Sequence, residues 1–197
     1  ASWKAASGLG GIEVLRAIEG GDLPAPPVAR LLGMEVEQVS EGLVTFAFEP
    51  AEYHYNPLGT VHGGILTTVL DSAMGCAVHS RLRAGVSYTT LELKVSFLRP
   101  VRVTTGRVRG EGKVVHLGGR VATAEAHLVD GDGALYAHAT STCLISPSGG
   151  RTADACCRYA SSRRSATKGP QVAPPSDTMA LMPGWRSNTP DAIIFVT

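Results

Sequence analysis

Nowhere in the 197 residues does an apolar run approach the roughly 18 that a helix needs to cross a bilayer. The opening residues also lack the charged, apolar and small-residue regions of a signal peptide. Charge of one sign is missing too. Lys and Arg number 18 against 17 Asp and Glu, a net of +1, so no global field singles out nucleic acid or an anionic membrane. Cysteines are scarce: Cys76, Cys143, Cys156 and Cys157 are too few and too irregular for a disulfide framework. Adjacent Cys156 and Cys157 lack the two-residue spacer of a zinc knuckle, while Cys76 and Cys143 sit in apolar segments, where free cysteine serves as a small core residue. The expectation is a reducing, cytoplasmic chain with no metal, no cofactor, no nucleic-acid partner and no membrane partner.

What is present suits one folded domain: 44% of residues are hydrophobic, and the length supports a single core. Composition changes near Pro147. Six of the 12 prolines fall beyond residue 146, among Ser, Arg and Gly, and apolar periodicity fails there apart from a short run, Ile193 to Val196. Residues 147–197 are therefore expected to form a disordered, mildly basic tail.

Before the tail the pattern is orderly. Ile12, Leu15, Ala17 and Ile18 predict a short helix ended by Gly20-Gly21, and Val28 to Leu32 a second one after Pro26-Pro27, stopping at Gly33. Residues 1–30 thus read as a helical extension. Met34 to Val39 and Leu43 to Phe48 flank Ser40-Glu41-Gly42 as a hairpin. Ile65 to Val78 is long, apolar nearly all round, and predicts a helix buried on every side. Four strand patterns follow. Thr89, Leu91, Leu93, Val95 and Phe97 alternate with polar residues in one half-buried strand. Val101 to Val115, broken by three glycines, predicts a long bent strand. Ala122, Ala124, Ala126 and Leu128 form a small-residue face in the next, and Asp130-Gly131-Asp132-Gly133 turns the chain into the last, Ala134 to Ile145. The order is α+β: an antiparallel sheet wrapped around one long central helix.

Chemistry concentrates in Asn56-Pro57-Leu58-Gly59-Thr60-Val61-His62-Gly63-Gly64, which leads into that helix. A glycine pair at a helix start permits close approach of a ligand and leaves backbone N–H groups without intrahelical partners. Those groups and the helix dipole favour an oxygen that develops negative charge. Asp71 is the one charged side chain between His62 and His79, in a setting where an unpartnered carboxylate is costly. A reacting carbonyl must lie about 3 Å from both donor and attacking group. Eight residues of helix separate Gly63 from Asp71 by about 12 Å, too far for one short side chain. Two antiparallel copies close the gap, so the spacing predicts a two-fold assembly with shared sites.

Asn-x-x-Gly-x-x-His-Gly-Gly with Asp71 beyond it, followed by Gly85-Val86-Ser87 and Tyr88-Thr89-Thr90-Leu91-Glu92-Leu93-Lys94-Val95-Ser96-Phe97-Leu98-Arg99-Pro100, closely resembles the phenylacetate-type (PaaI-like) hotdog-fold thioesterases. The resemblance runs from about Leu31 to Ile145, and marks 31–146 as the domain. It implies metal-free hydrolysis of acyl-CoA, with a medium-chain or aromatic acyl group, by a homodimer or a dimer of dimers. It also implies roles: Gly63 as oxyanion donor with Gly64 beside it, Asp71 as nucleophile or general base, and Asn56 and His62 positioning the thioester and its leaving sulfur. Ser87, Thr89 or Thr90 would orient the attacking group, and Arg120 is the best placed cation for CoA phosphates. Two other readings stay open: a hotdog hydratase or dehydratase with a histidine base, and an acyl-CoA-binding module without turnover.

Overall fold

The computed structural model describes residue 6 and residues 8–147, with side chains to 146. The expected tail, with Cys156, Cys157 and the apolar run 193–196, lies outside the described residues. Helix α1 (Gly11–Glu19) ends at Gly20, and α2 (Pro27–Leu32) starts on a proline and stops at Gly33, whose φ of 66° suits glycine. Strands β1 (Met34–Ser40) and β2 (Leu43–Phe48) form the expected hairpin, its turn closed by Gly42 at φ 78°. After a loop come the central helix α3 (Gly63–His79), β3 (Val86–Phe97), β4 (Val108–Leu117), β5 (Val121–Val129) and β6 (Leu135–Pro147). The six strands make one antiparallel sheet in the order β1-β2-β4-β5-β6-β3. Because α3 interrupts the chain between β2 and β3, β3 is carried across to the far edge.

The sheet curls around α3, and small residues set how closely the two approach. A Cβ on Gly112 would stand 2.3 Å from the carbonyl carbon of Ala73, and one on Gly110 would stand 2.9 Å from Val69 Cγ1. Next to them Ala122, Ala124 and Ala126, the predicted small face of β5, are fully covered. Leu70, Met74 and Val78 of α3 fill the space between, with Phe48, Val108 and Leu128 from the sheet. Burial of each such side chain stabilises by about 1.5–3 kcal/mol. Leu15 and Ala29 of the N-terminal helices join the same core, and the Gly11 N–H donates to the Leu82 carbonyl at 2.9 Å. At the far end of α3, Ser80 Oγ donates to the Ala77 carbonyl and accepts from Gly42 N–H, both at 2.7 Å, which ties the helix to the β1–β2 turn.

Three expectations change. Within one chain the helix is not buried on every side: Ile65, Thr67, Thr68, Asp71 and Ser72 are half-buried and Gly64 is exposed, because one sheet covers one side of a helix. Val101 to Arg107 is not strand. A 3-10 turn at Val103–Thr105 and Gly106 at φ 71° precede β4, so the glycine acts as a turn residue rather than a bend within a strand. The alternation of β3 breaks in the middle: its register against β6 shifts between Thr90 and Glu92, a bulge that places Leu91 and Glu92 both outward. An inserted residue reverses which parity faces inward. Tyr88 and Thr90 therefore face α3 together with Leu93, Val95 and Phe97, while Leu91 is 59% exposed. Among the described residues no helix is long and apolar enough to cross a membrane.

Candidate active site

The loop before α3 is built around two side chains. Asn56 Oδ1 accepts from Leu58 N–H at 2.9 Å and Thr60 N–H at 3.4 Å, and Thr60 Oγ1 lies 3.3 Å away. This side-chain turn, with Gly59 at φ 73°, holds the loop in one shape. His54 anchors it from below. Its ring is buried, packed 4.7 Å from Phe48 and 4.1 Å from Tyr53, and its Nδ1 accepts from Ala51 N–H at 3.0 Å. The His54 carbonyl accepts from His62 N–H at 2.8 Å, which fixes where α3 begins. Burial lowers the pKa of His54 below the ordinary 6.5.

His62 is exposed and caps α3. Its Nδ1 accepts from Gly64 N–H at 2.9 Å, so the neutral ring carries its proton on Nε2. The two glycines consequently part roles. The Gly64 N–H is occupied by His62, and a Cβ there would stand 3.0 Å from His62 Nδ1. The Gly63 N–H makes no hydrogen bond among the described residues and is the open donor at the positive end of the helix. Phe97 of β3 packs against Gly63, where a Cβ would be 3.1 Å from its Cζ.

Two turns further along, Asp71 is half-buried rather than enclosed. Thr90 Oγ1 donates to Asp71 Oδ1 at 3.0 Å, a contact that exists because the β3 bulge turns Thr90 toward the helix. Around this pair lie two thiols. Burial pushes Cys76 up to about 12, aided by the Asp71 charge, and also raises Cys143, so both stay protonated.

The structure selects among the remaining candidates. Thr89 is exposed on the opposite face from Asp71, and Ser87 Oγ lies 3.4 Å from the carbonyl and hydroxyl of Ser146 at the sheet edge, so neither meets the carboxylate in this chain. Arg120 is exposed in the β4–β5 turn, its carbonyl accepting from Ile145 N–H at 2.8 Å. It adjoins a shallow 280 Å³ cavity lined by Arg81, Arg83, Leu117, Gly118, Gly119 and Ile145, at the opposite end of α3 from Gly63. Among the described residues no group of three or more His, Cys, Asp or Glu is placed to hold a metal ion. One side chain at the site escaped the reading of the sequence. Tyr88 rests on Gly75, one turn beyond Asp71, and the signal was that glycine itself, since a mid-helix glycine costs about 1 kcal/mol relative to alanine.

Comparison with known proteins places this geometry. The thioesterase superfamily profile matches residues 58–137, from the capping loop into β6. A Halobacterium salinarum protein provisionally designated an esterase is 38% identical over 103 residues, 50% of this chain and 66% of that relative's length. Among solved structures, a phenylacetic acid degradation-related protein of Ralstonia eutropha is 33% identical, with a TM-score of 0.60 over 66% of this chain and 98% of that one. A variant of the phenylacetic acid degradation protein PaaI from Thermus thermophilus is 31% identical, with a TM-score of 0.55 over 60% of this chain and 98% of that one. With a six-stranded antiparallel sheet around one helix and these relatives, the chain belongs to the thioesterase superfamily, among its PaaI-like hotdog-fold members.

Proposed function

We propose that this protein hydrolyses acyl-CoA thioesters carrying a medium-chain or aromatic acyl group, releasing the free acid and CoA. The observation that carries the reading is one helix with an open backbone donor at Gly63 and, at Asp71, a carboxylate held by Thr90. The thioester carbonyl accepts from Gly63 N–H, Asp71 takes a proton from water, and the hydroxide adds to the carbonyl carbon. The resulting oxyanion is stabilised by the N–H and the helix terminus, a kind of contact worth about 10²–10³ in rate. Collapse expels the CoA thiolate, toward which His62 presents its Nε2–H. Asn56, its carbonyl already engaged in the loop, keeps its amide to position the thioester.

Gly63 and Asp71 sit too far apart on α3 to serve one carbonyl, so each site pairs Gly63 of one copy with Asp71 of another. The half-buried side of α3 is the surface on which two copies meet, and Arg120 is assigned to the CoA phosphates. A hydratase with a histidine base fits less well, because His62 Nδ1 is taken by Gly64 N–H and Nε2 already bears the proton. A panel of acyl-CoA substrates assayed for free thiol tests the reading. Saturable thiol release is expected. Enoyl-CoA hydration without thiol release, or tight binding without turnover, would overturn it.

A further inference from the structure

The loop that leads into α3 doubles back on itself, and His54 and His62 form its base. Tyr55 and Val61 make an antiparallel bridge, and Asn56 N–H donates to the Thr60 carbonyl at 2.8 Å. Below them His62 N–H donates to the His54 carbonyl at 2.8 Å. The His62 carbonyl accepts from Ile65 N–H at 2.9 Å, so it points into α3. Across a planar trans peptide the Gly63 N–H then points the opposite way, out of the helix start. His62 is thus gripped on both sides, its carbonyl by the helix and its N–H by His54. The direction of the open Gly63 donor depends on both holds.

His54 is itself fixed by its side chain. Ala51 and His54 bond reciprocally, His54 N–H to the Ala51 carbonyl and Ala51 N–H to His54 Nδ1, both at 3.0 Å. The residue is 3% exposed, and its Nε2 faces the Leu32 carbonyl at the end of α2 without reaching good hydrogen-bond geometry. A phenyl ring would fill the same space with no polar atom to satisfy. A buried imidazole with one nitrogen left poorly paired therefore points to a task, and the bond it makes well is the one at Nδ1. Closed off from solvent, His54 acts through His62.

We propose that His54 is a positioning residue for the hydrolysis: held by Ala51 through Nδ1, it fixes His62 and so aims the Gly63 N–H at the thioester carbonyl. This rests on the acyl-CoA hydrolase reading above and adds a group that reading does not use. An oxygen that gains charge during the reaction depends on the aim of its donor more than the bound substrate does. Loss of the hold lowers kcat and leaves KM nearly unchanged.

The test uses the full chain as wild type, His54→Phe and His54→Asn, with octanoyl-CoA and phenylacetyl-CoA as substrates. His54→Phe keeps a ring against Phe48 and Tyr53 but strands the Ala51 N–H. His54→Asn returns an acceptor near the place of Nδ1 but gives up the ring contacts. In His54→Phe, kcat falls by at least about tenfold, within what a small misplacement costs, and the Gly63 amide signal shifts in the NMR spectrum. His54→Asn recovers most of the rate and moves the signal back, although it melts below the phenylalanine variant. Rates that instead follow melting temperature, with asparagine the slower, overturn the proposal. Should the asparagine variant fail to fold, His54→Phe decides alone: wild-type kcat, or a raised KM at unchanged kcat, overturns it. Wild type that releases thiol from no acyl-CoA overturns the hydrolase reading instead. The Gly63 signal then still decides the positioning, which an unmoved signal in His54→Phe contradicts.

Discussion

Replacing Thr90 by Val removes one hydroxyl and keeps the shape and β-branching of the side chain. That hydroxyl donates at 3.0 Å to Asp71 Oδ1 and is the one side-chain hydrogen bond the carboxylate accepts among the described residues. A hydrogen bond to a charged group is worth about 1.5–3 kcal/mol, and about 1.4 kcal/mol is tenfold in rate. If the bond holds Asp71 in attacking geometry, kcat falls by about 10- to 100-fold, while KM, set by the rest of the site, stays close to its original value. Stability changes little, because the proposed reaction brings water to Asp71, and that water replaces the lost bond. Thr90→Ser keeps the donor and restores most of the rate. The assay is thiol release at saturating acyl-CoA, beside a thermal melt followed by circular dichroism. Wild-type kcat in Thr90→Val refutes the reasoning. So does an equal loss in the serine and valine variants accompanied by a lowered melting temperature, which would trace the effect to packing.

Gly112→Ala drives a Cβ to 2.3 Å from the Ala73 carbonyl carbon, which can yield only by backbone movement. A loss of about 2 kcal/mol or more in urea unfolding is expected, against none for Gly131→Ala, which meets open space; equal midpoints would contradict the close helix–sheet contact. His54 and His79 both have pKa values lowered by burial. With folded values below the unfolded 6.5, the unfolded chain takes up protons first as pH falls. Their contribution to stability is therefore complete above that value and is lost as pH drops through the folded values. Melting temperatures should decline from pH 7.5 toward acid over that window, and a rise would contradict the burial of both rings.

Much of this was legible in the residues because local pattern and global fold agree. The apolar length of Ile65 to Val78 marks the central helix, the alanines of β5 its landing site, and the Gly42 and Gly133 turns the hairpins. The candidate site stood out because Asn56, His62 and Gly63 before the helix and Asp71 within it carry chemistry that few other patterns require. What escaped were features decided by tertiary contact. A bulge at Leu91 depends on pairing with β6, so the simple alternation of β3 put Leu91 inward and Thr90 outward, the reverse of what is found. The same slip hid Tyr88. The difference between the two glycines likewise depends on the rotamer of His62, which no spacing rule specifies. How exposed α3 is reflects a single chain, whose open helix side is where the account puts the second copy.

The central claim is that each site joins Gly63 of one copy to Asp71 of another, and subunit mixing tests it most directly. Asp71→Asn removes the charge that activates water, and its turnover should fall by at least about 100-fold. Gly63→Ala presses a methyl against Phe97 and the bound carbonyl. Each variant alone is expected to be nearly inactive. After verified exchange at equal proportions, half of the dimers are mixed and each holds one intact site, so activity should return to about a quarter of wild type. Recovery near that level is the predicted result; mixed dimers no more active than the separate variants would contradict a shared site.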